Sequence, residues 1–255
     1  MNDPSDLSTG EREYLLAFAD DEHLVGSRHA EWIGTAPFLE EDLSFCSIAQ
    51  DELGHAIALY DFLTDDLDRF ALLRAPEEYR SCVLAEASCA PWDEALVRHW
   101  LYDEAESLRW AALETSRLAG LAALARRVER EEAFHLEHSR SLIRRMLHGP
   151  ETARATIVDA LVRLLPIAQS VWDPVEGEAD ALASGLCSMS SRQLGEAWSG
   201  AINALLADCA VPPSEVAAAE PSGASGSSRL RRSDGFAAYL ARLQEVISIE
   251  PTATW

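Results

Sequence analysis

The stretch QDELGHA, residues 50–56, places a carboxylate and an imidazole on the apolar face of a predicted helix. Residues three and four apart share one face of a helix, so Glu52 and His55 fall on the same stripe as their apolar neighbours. That stripe comprises Phe45, Ile48, Glu52, His55 and Leu59. A buried ionisable side chain is costly unless it is paired or binds a metal. The stretch therefore predicts that other helices supply partners for Glu52 and His55.

Three further predicted helices carry a carboxylate on an apolar stripe. The first helix has Glu22 and the third has Asp103. The fourth has Glu132, with His135 three residues later. Glu22 precedes Glu52 by 30 residues, and Asp103 precedes Glu132 by 29, so each half of the chain predicts a hairpin with Glu-x-x-His on its second helix. Two such hairpins bring four carboxylates and two imidazoles to one level, as in the dinuclear metal centres of ferritin-like bundles.

These residues define a predicted site for two iron ions, with manganese as the alternative, because carboxylates and imidazoles suit both metals. The predicted ligands are Glu22, Glu52, His55, Asp103, Glu132 and His135. On the third helix Asp103, Glu104 and Glu106 compete, and position on the stripe favours Asp103. Glu131 neighbours Glu132, but only Glu132 has the three-residue spacing to its histidine. The alternative to metal binding is that the acids are exposed or ion-paired.

Three other residues near these motifs are predicted to lie outside the ligand set. His29 and His138 are expected to support the site by hydrogen bonds or to lie at the surface. Asp51, beside the first Glu-x-x-His motif, is expected either to orient an imidazole or to face solvent. The sequence assigns no residue a catalytic role.

Helical signals extend along the chain, and no alternating strand pattern bounded by tight turns is present in the sequence. Ser8 and Glu11 have capping-box spacing at the start of the first helix. The bundle helices are predicted at about 8–33, 38–63, 92–117 and 121–148, and later helices at about 151–172, 192–208 and 235–247. Residues 211–234 are rich in Pro, Gly and Ser, which predicts a flexible loop. We expect an all-α, ferritin-like four-helix bundle (about 9–148) with additional C-terminal helices (about 151–255) in one domain, 1–255.

Composition narrows the possible partners and location. The formal net charge of −22 disfavours nucleic acid, because an acidic surface repels phosphates. The longest apolar runs are far shorter than the ~20 residues of a membrane span, so no membrane segment is expected. The first residues are polar and acidic, unlike a secretory signal. Five cysteines are scattered without a Cys-x-x-Cys pair, which is typical of reduced thiols and favours a cytoplasmic protein.

With these motifs in place, the chain resembles the PaaC-type subunits of the bacterial phenylacetyl-CoA ring epoxidase (phenylacetyl-CoA 1,2-epoxidase). The strongest stretch is LLAFADDEHLVGSRHAEWIGTAPFLEEDLSFCSIAQDELGHA, residues 15–56. Also similar to that family are YDEAESLRW (102–110), EREEAFHLEHS (129–139) and the terminal TATW (252–255). The chain departs from the family pattern at Ile33 and Thr35, where cysteine and histidine are frequent.

The resemblance implies a subunit of an oxygen-dependent monooxygenase of aerobic phenylacetate degradation. In that family, PaaC-type chains pair with a homologous PaaA-type catalytic subunit that carries a di-iron centre. The complex uses a separate reductase and a CoA-ester substrate. Many PaaC-type chains have lost the metal ligands, whereas QDELGH and EEAFH here resemble the motifs of the catalytic subunit. All six predicted ligands thus match metal-binding positions, in a centre that is either functional or ancestral.

The alternative function is a stand-alone ferritin-like di-iron or manganese oxidase or peroxide-handling protein. Such a protein would act without a partner chain. The lack of a Cys-x-x-Cys pair argues against a rubrerythrin-like electron path within this chain. Resemblance along nearly the whole chain favours the epoxidase subunit.

Two basic clusters stand out in this acidic chain. The fourth helix carries Arg126, Arg127 and Arg130, followed by Arg144 and Arg145. Arg126 and Arg130 are one turn apart. We expect them to bind a CoA phosphate or an acidic partner surface, or else to pair with Glu129 and Glu131. The second cluster lies on the predicted loop, is expected to become ordered on assembly, and comprises Arg229, Arg231 and Arg232.

Overall fold

The computed structural model describes residues 7–216 and 228–250, and every regular element within them is helical. The α-helices are α1 (Thr9–Ala30), α2 (Leu39–Tyr60), α3 (Leu67–Leu72), α4 (Val83–Glu86), α5 (Trp92–Leu113), α6 (Ala119–Leu147), α7 (Glu151–Ala168), α8 (Glu178–Ser184), α9 (Ser191–Asp208), α10 (Pro213–Val216), α11 (Phe236–Leu243) and α12 (Glu245–Ile249). Short 3₁₀ turns lie at Pro76–Glu78, Gln169–Trp172 and Ser228–Leu230. The predicted class is confirmed: a ferritin-like bundle of four long helices, α1, α2, α5 and α6, carries additional C-terminal helices.

Two helical hairpins form the bundle, α1 with α2 and α5 with α6. Ser8 caps α1 as predicted, because its hydroxyl accepts a hydrogen bond from the backbone N–H of Glu11 at 3.2 Å. The carboxylate of Glu11 accepts in return from the N–H of Ser8 at 2.8 Å. The third long helix ends at Leu113, earlier than predicted, and Gly120 lies inside the first turn of α6 rather than at the break.

A glycine lets α1 and α2 approach closely beside the first Glu-x-x-His motif. A Cβ added at Gly26 of α1 would lie 2.9 Å from the Cβ of Glu52 and 3.1 Å from the backbone nitrogen of Leu53. Any side chain at this position would push the two helices apart. Gly26 lies one turn after Glu22, so it helps to hold Glu22 and Glu52 at the same level of the bundle.

The helices that follow the bundle cover α5. α7 and α9 pack along it, and Trp198 of α9 donates a hydrogen bond from its indole N–H to the backbone carbonyl of Leu101 at 2.9 Å. Most positions of α5 are consequently buried, whereas α6 buries one stripe. α8 packs against α1. In the described residues no helix after α6 packs along α2.

One helical stretch in the described residues, Glu151–Trp172, is long and apolar enough by length and composition to cross a membrane. In the fold it packs on α5, with Ile157, Leu161 and Leu164 buried in the core. A buried face of this kind is typical of a core helix. A single such helix is therefore weak evidence for a membrane span.

The segment predicted as a flexible loop, 211–234, is anchored at its described ends. α10 lies near its start, and Arg229 near its end has only 2% of its surface exposed. Residues 217–227 lie outside the described part of the chain, as does the terminal TATW (252–255).

The prediction that the second basic cluster orders only on assembly is wrong for Arg229 and Arg232. Arg229 Nη2 lies 2.9 Å from Asp21 Oδ2, and Arg232 Nη1 lies 2.6 Å from Glu86 Oε1. Asp21 and Glu86 are buried, and buried carboxylates require counter-charges, which these arginines supply within the chain. Arg231 remains exposed.

Candidate metal centre

Four buried side chains from three helices form a tight cluster of potential metal ligands in the part of the chain that the structure describes. They are Glu22 of α1, Glu52 and His55 of α2, and Glu106 of α5, and one ligand atom of each lies within 4.8 Å of the others. Each faces the interior at the same level of the bundle, which is why the helical spacing brings them together. Three of the four, Glu22, Glu52 and His55, are predicted ligands.

The second Glu-x-x-His motif approaches this cluster from α6. Glu132 Oε1 lies 3.5 Å from Nδ1 of His55 and 3.3 Å from Nδ1 of His135. Glu132 is 2% exposed and His135 is fully buried. The structure thus brings five of the six predicted ligands together from α1, α2 and α6, while metal binding by them stays a prediction.

The predicted α5 ligand is placed differently from the other five. Glu104 is paired with Arg140, whose Nε lies 2.6 Å from Glu104 Oε1. Asp103 Oδ1 lies 2.9 Å from Nδ1 of His99. Glu106, one turn after Asp103, is the α5 carboxylate in the tight cluster. The geometry therefore favours Glu106 as the nearest α5 neighbour of the first Glu-x-x-His motif, with Asp103 one turn away.

The stripe criterion did not select Glu106 because α5 is buried nearly all round. Asp103, Glu104 and Glu106 are all at most 2% exposed, so burial alone does not separate them. The signal that the sequence does carry is spacing, since Glu106 lies three residues after Asp103 and four before Trp110. The indole N–H of Trp110 donates a hydrogen bond to Glu106 Oε1 at 3.1 Å.

The two Glu-x-x-His motifs orient each other's histidines. Nδ1 of each imidazole faces the cluster and Nε2 faces outward. Nε2 of His55 lies 2.9 Å from Glu131 Oε2, and Nε2 of His135 lies 3.2 Å from Asp51 Oδ2. Glu131 and Asp51 each directly precede the glutamate of one motif and contact the histidine of the other. A carboxylate on the outer nitrogen fixes the ring and its tautomer, as is usual for histidines that bind metals.

Glu22 belongs to a run of three fully buried acids on α1, and their partners differ. Asp20 contacts the guanidinium of Arg74, and Asp21 contacts Arg109 with Nη1 2.7 Å from Oδ2. Glu22 has no arginine partner and accepts a hydrogen bond from the hydroxyl of Tyr102 at 2.7 Å. Its second oxygen is left directed to the cluster, 3.4 Å from Nδ1 of His55.

Burial and mutual repulsion raise the pKa values of most carboxyls in the cluster. Burial is the largest cause for Glu22, Glu52 and Glu132, followed by the negative charge of Glu106. Burial would also raise the pKa of Glu106, but hydrogen bonds with His55 and Glu22 outweigh it and lower that pKa. Burial would lower the pKa of His55, but hydrogen bonds with Glu106 and Glu22 raise it to about 11. A cation that binds here must displace protons.

The donor set fits a pair of divalent cations. Both carboxylate oxygens of Glu52 and both of Glu132 are buried without a well-directed hydrogen bond from any described residue. Such groups are costly in a protein interior unless a charge compensates them. Carboxylates combined with imidazoles suit iron and manganese. The orphaned oxygens converge where the two imidazole Nδ1 atoms point, so the residues present fit a dinuclear centre.

The remaining histidines lie beside the cluster rather than in it. His29 is fully buried rather than at the surface, and its ring packs against that of His99 with centroids 4.9 Å apart. Burial, followed by the charge of His99, holds the pKa of His29 well below its ordinary value. His138 is half-buried, and its Nε2 lies 3.0 Å from Glu41 Oε2. His99 was not identified from the sequence, although it precedes Asp103 by one turn.

The basic residues of α6 lie on its outer face. Arg126 and Arg130 are exposed, and Nη1 of Arg126 donates a hydrogen bond to the backbone carbonyl of Glu114 at 2.7 Å. Glu131, one of the acids expected to pair with them, contacts His55 instead. Arg144 lies 3.4 Å from Asp208. Binding of a CoA phosphate or an acidic partner by Arg126 and Arg130 stays a prediction.

Comparison with known proteins relates the whole chain to one family. The family model described as "Phenylacetic acid catabolic protein" matches residues 3–255. The chain is 23% identical over 247 residues to a PaaC-type relative, one of the subunits of the 1,2-phenylacetyl-CoA epoxidase of Escherichia coli (strain K12). That match covers 95% of this chain and 98% of the relative. The similarity therefore includes both hairpins and the C-terminal helices.

Proposed function

The chain belongs to the family of phenylacetic acid catabolic proteins, and on that basis we propose that it is a subunit of a multicomponent phenylacetyl-CoA ring epoxidase. Family membership supports a role in phenylacetate catabolism, and the relative in Escherichia coli is named as a subunit of such an epoxidase. End-to-end similarity to a protein so named is the single observation that carries the proposal.

The proposed partners are a homologous PaaA-type catalytic subunit and a separate reductase. A CoA ester is the proposed substrate of the complex, and the cytoplasm is its proposed location. The chain has no Cys-x-x-Cys pair with which to bind a metal for electron transfer, which favours an external source of electrons. Support of the partner subunit is the minimal role of this chain.

We also propose that the chain holds its own dinuclear centre. The proposed ligands are Glu22, Glu52, His55, Glu132 and His135, with Glu106 or Asp103 from α5. Two iron ions would supply the redox chemistry needed to activate oxygen, and manganese fits the same donors. The chain's own residues hold and orient the metals: Glu131 and Asp51 fix the two imidazoles, and the bundle core excludes water from the carboxylates.

The second candidate function is a stand-alone ferritin-like oxidase or peroxide-handling protein. The observation that favours it is the ligand cluster itself, because a purely structural subunit has no need of orphaned carboxylate oxygens in its core. Both functions would use the same metal centre, so the ligand geometry does not separate them. Dependence on a partner chain does.

Co-expression with the PaaA-type subunit of the same organism tests the proposed function. We expect the two chains to co-purify through affinity capture and size-exclusion chromatography. We expect oxygen consumption with phenylacetyl-CoA and a reductase only when both are present. The matched control is the chain alone, supplied with iron, reductant and either oxygen or peroxide. Turnover by the chain alone, without co-purification, would support the stand-alone protein instead.

A further inference from the structure

The outer side of α2 carries a stripe of exposed apolar side chains. Leu39, Leu43 and Ile57 are 70%, 62% and 54% exposed. At about 100° per residue, Leu43 and Ile57 project within about 40° of Leu39 around the helix axis, and so does the half-buried Cys46. We call these four residues the α2 outer face. Phe38, the residue before the helix, is also 62% exposed and extends the apolar surface.

The rest of the fold leaves this face uncovered. α7 and α9 pack on α5, and α8 packs on α1, so the helices that could shield α2 are committed elsewhere. Solvent-facing helices in a soluble bundle normally carry polar residues on their outer side. A line of exposed leucine and isoleucine side chains along an uncovered helix therefore indicates a contact surface.

The face lies beside the only polar opening that we find over the metal centre in the described residues. Asp51 and Glu131, which contact the outer nitrogens of the two centre histidines, have 36% and 40% of their side chains exposed. Phe134 of α6, one turn after Glu131, is 54% exposed and adds an aromatic ring on the far side of the α2–α6 seam. A helix laid along this seam would cover both carboxylates.

The charge at the edges of the face selects the kind of occupant. Glu40 and Asp61 are exposed, and Asp42 and Asp51 are half-buried, so acids border the apolar stripe along its whole length. Two copies of the chain would oppose these acids and add two net charges of −22. A partner with an apolar helix stripe edged by lysine or arginine complements the face instead.

We propose that the α2 outer face docks a helical partner subunit of this complementary kind, and that docking closes the α2–α6 seam over the metal centre. The assignment rests on the proposed function, in which the partner is the PaaA-type subunit. A helix-on-helix contact centred on Leu43 buries the exposed leucines and Cys46 together. It also removes Asp51 and Glu131 from solvent.

The native cysteines supply a direct probe of this contact. Cys46 is half-buried, whereas Cys82, Cys89, Cys187 and Cys209 are buried. Labelling with N-ethylmaleimide, read by peptide mass spectrometry, therefore reports on the α2 outer face without any substitution. We expect labelling of Cys46 to slow about tenfold or more in the complex with the PaaA-type subunit.

The matched variants place a charge on an exposed apolar residue inside or outside the face. Leu43→Glu should weaken the complex about tenfold or more, measured by biolayer interferometry. Ile249→Glu on α12, where the isoleucine is 81% exposed, should leave the affinity unchanged. Far-ultraviolet circular dichroism of both variants should match that of the unsubstituted chain, because neither residue is in the core.

The outcomes separate this assignment from the proposed function. A complex that binds Leu43→Glu normally and leaves Cys46 reactive overturns the assignment and leaves the subunit role intact. No complex with the unsubstituted chain overturns both. Protection of Cys46 that rises with the concentration of the chain alone identifies a second copy as the occupant and also overturns the assignment.

Discussion

Replacing His55 with alanine is expected to remove most of the iron or manganese from a protein that otherwise carries about two ions per chain. His55 Nδ1 lies within 3.3–3.5 Å of oxygens from Glu22, Glu106 and Glu132, so its loss opens the centre on three sides. Glu52→Ala should have the same effect, since both of its oxygens are free to bind metal. Inductively coupled plasma mass spectrometry of each purified variant measures the content.

His138→Ala is the matched control for that loss. It removes a histidine from the same bundle, but one that contacts Glu41 rather than the cluster. We expect it to keep the metal content of the unsubstituted chain. If His138→Ala and His55→Ala lose metal equally, the assignment of the cluster as the binding site is wrong. The same assay on Glu106→Ala and Asp103→Ala identifies the α5 ligand, and we expect the larger loss at Glu106.

Asp21→Ala is expected to lower the free energy of unfolding by about 3–5 kcal/mol. Asp21 is fully buried and contacts two buried arginines, Arg109 at 2.7 Å and Arg229 at 2.9 Å. Alanine would leave both guanidinium groups without their carboxylate. Urea unfolding followed by circular dichroism measures the change, at a pH near neutrality where Asp21 is ionised.

The control for Asp21 is an ion pair that solvent already screens. Glu13 lies 2.9 Å from Arg80, and the two side chains are 27% and 22% exposed. Glu13→Ala should cost less than about 1 kcal/mol. A loss for Asp21→Ala as small as this would show that the C-terminal segment carrying Arg229 is not held by the buried pair.

The bundle could be predicted from the sequence because its signals are local. The capping box of Ser8 and Glu11, and the three-residue spacing of each Glu-x-x-His motif, depend only on helical geometry. Hairpin spacing then places the two motifs at one level. These features required no knowledge of how the helices pack.

The missed features depend on contacts between distant parts of the chain. The α5 ligand was ambiguous because α7 and α9 bury nearly every side of that helix, so a stripe no longer marks the bundle interior. The pairing of Arg229 with Asp21 joins a Gly- and Ser-rich region to the first helix across most of the sequence. The exchange of Glu131 and Asp51 between motifs likewise appears only once α2 and α6 lie side by side.

Metal analysis of the unsubstituted chain, purified from cells grown with added iron, tests the central claim most directly. The orphaned oxygens of Glu52 and Glu132, and the inward Nδ1 atoms of His55 and His135, predict about two iron or manganese ions per chain. A content no higher than that of the Glu52→Ala variant would contradict the claim. The buried groups would then be satisfied by protons and hydrogen bonds among themselves, in an ancestral centre that no longer binds metal.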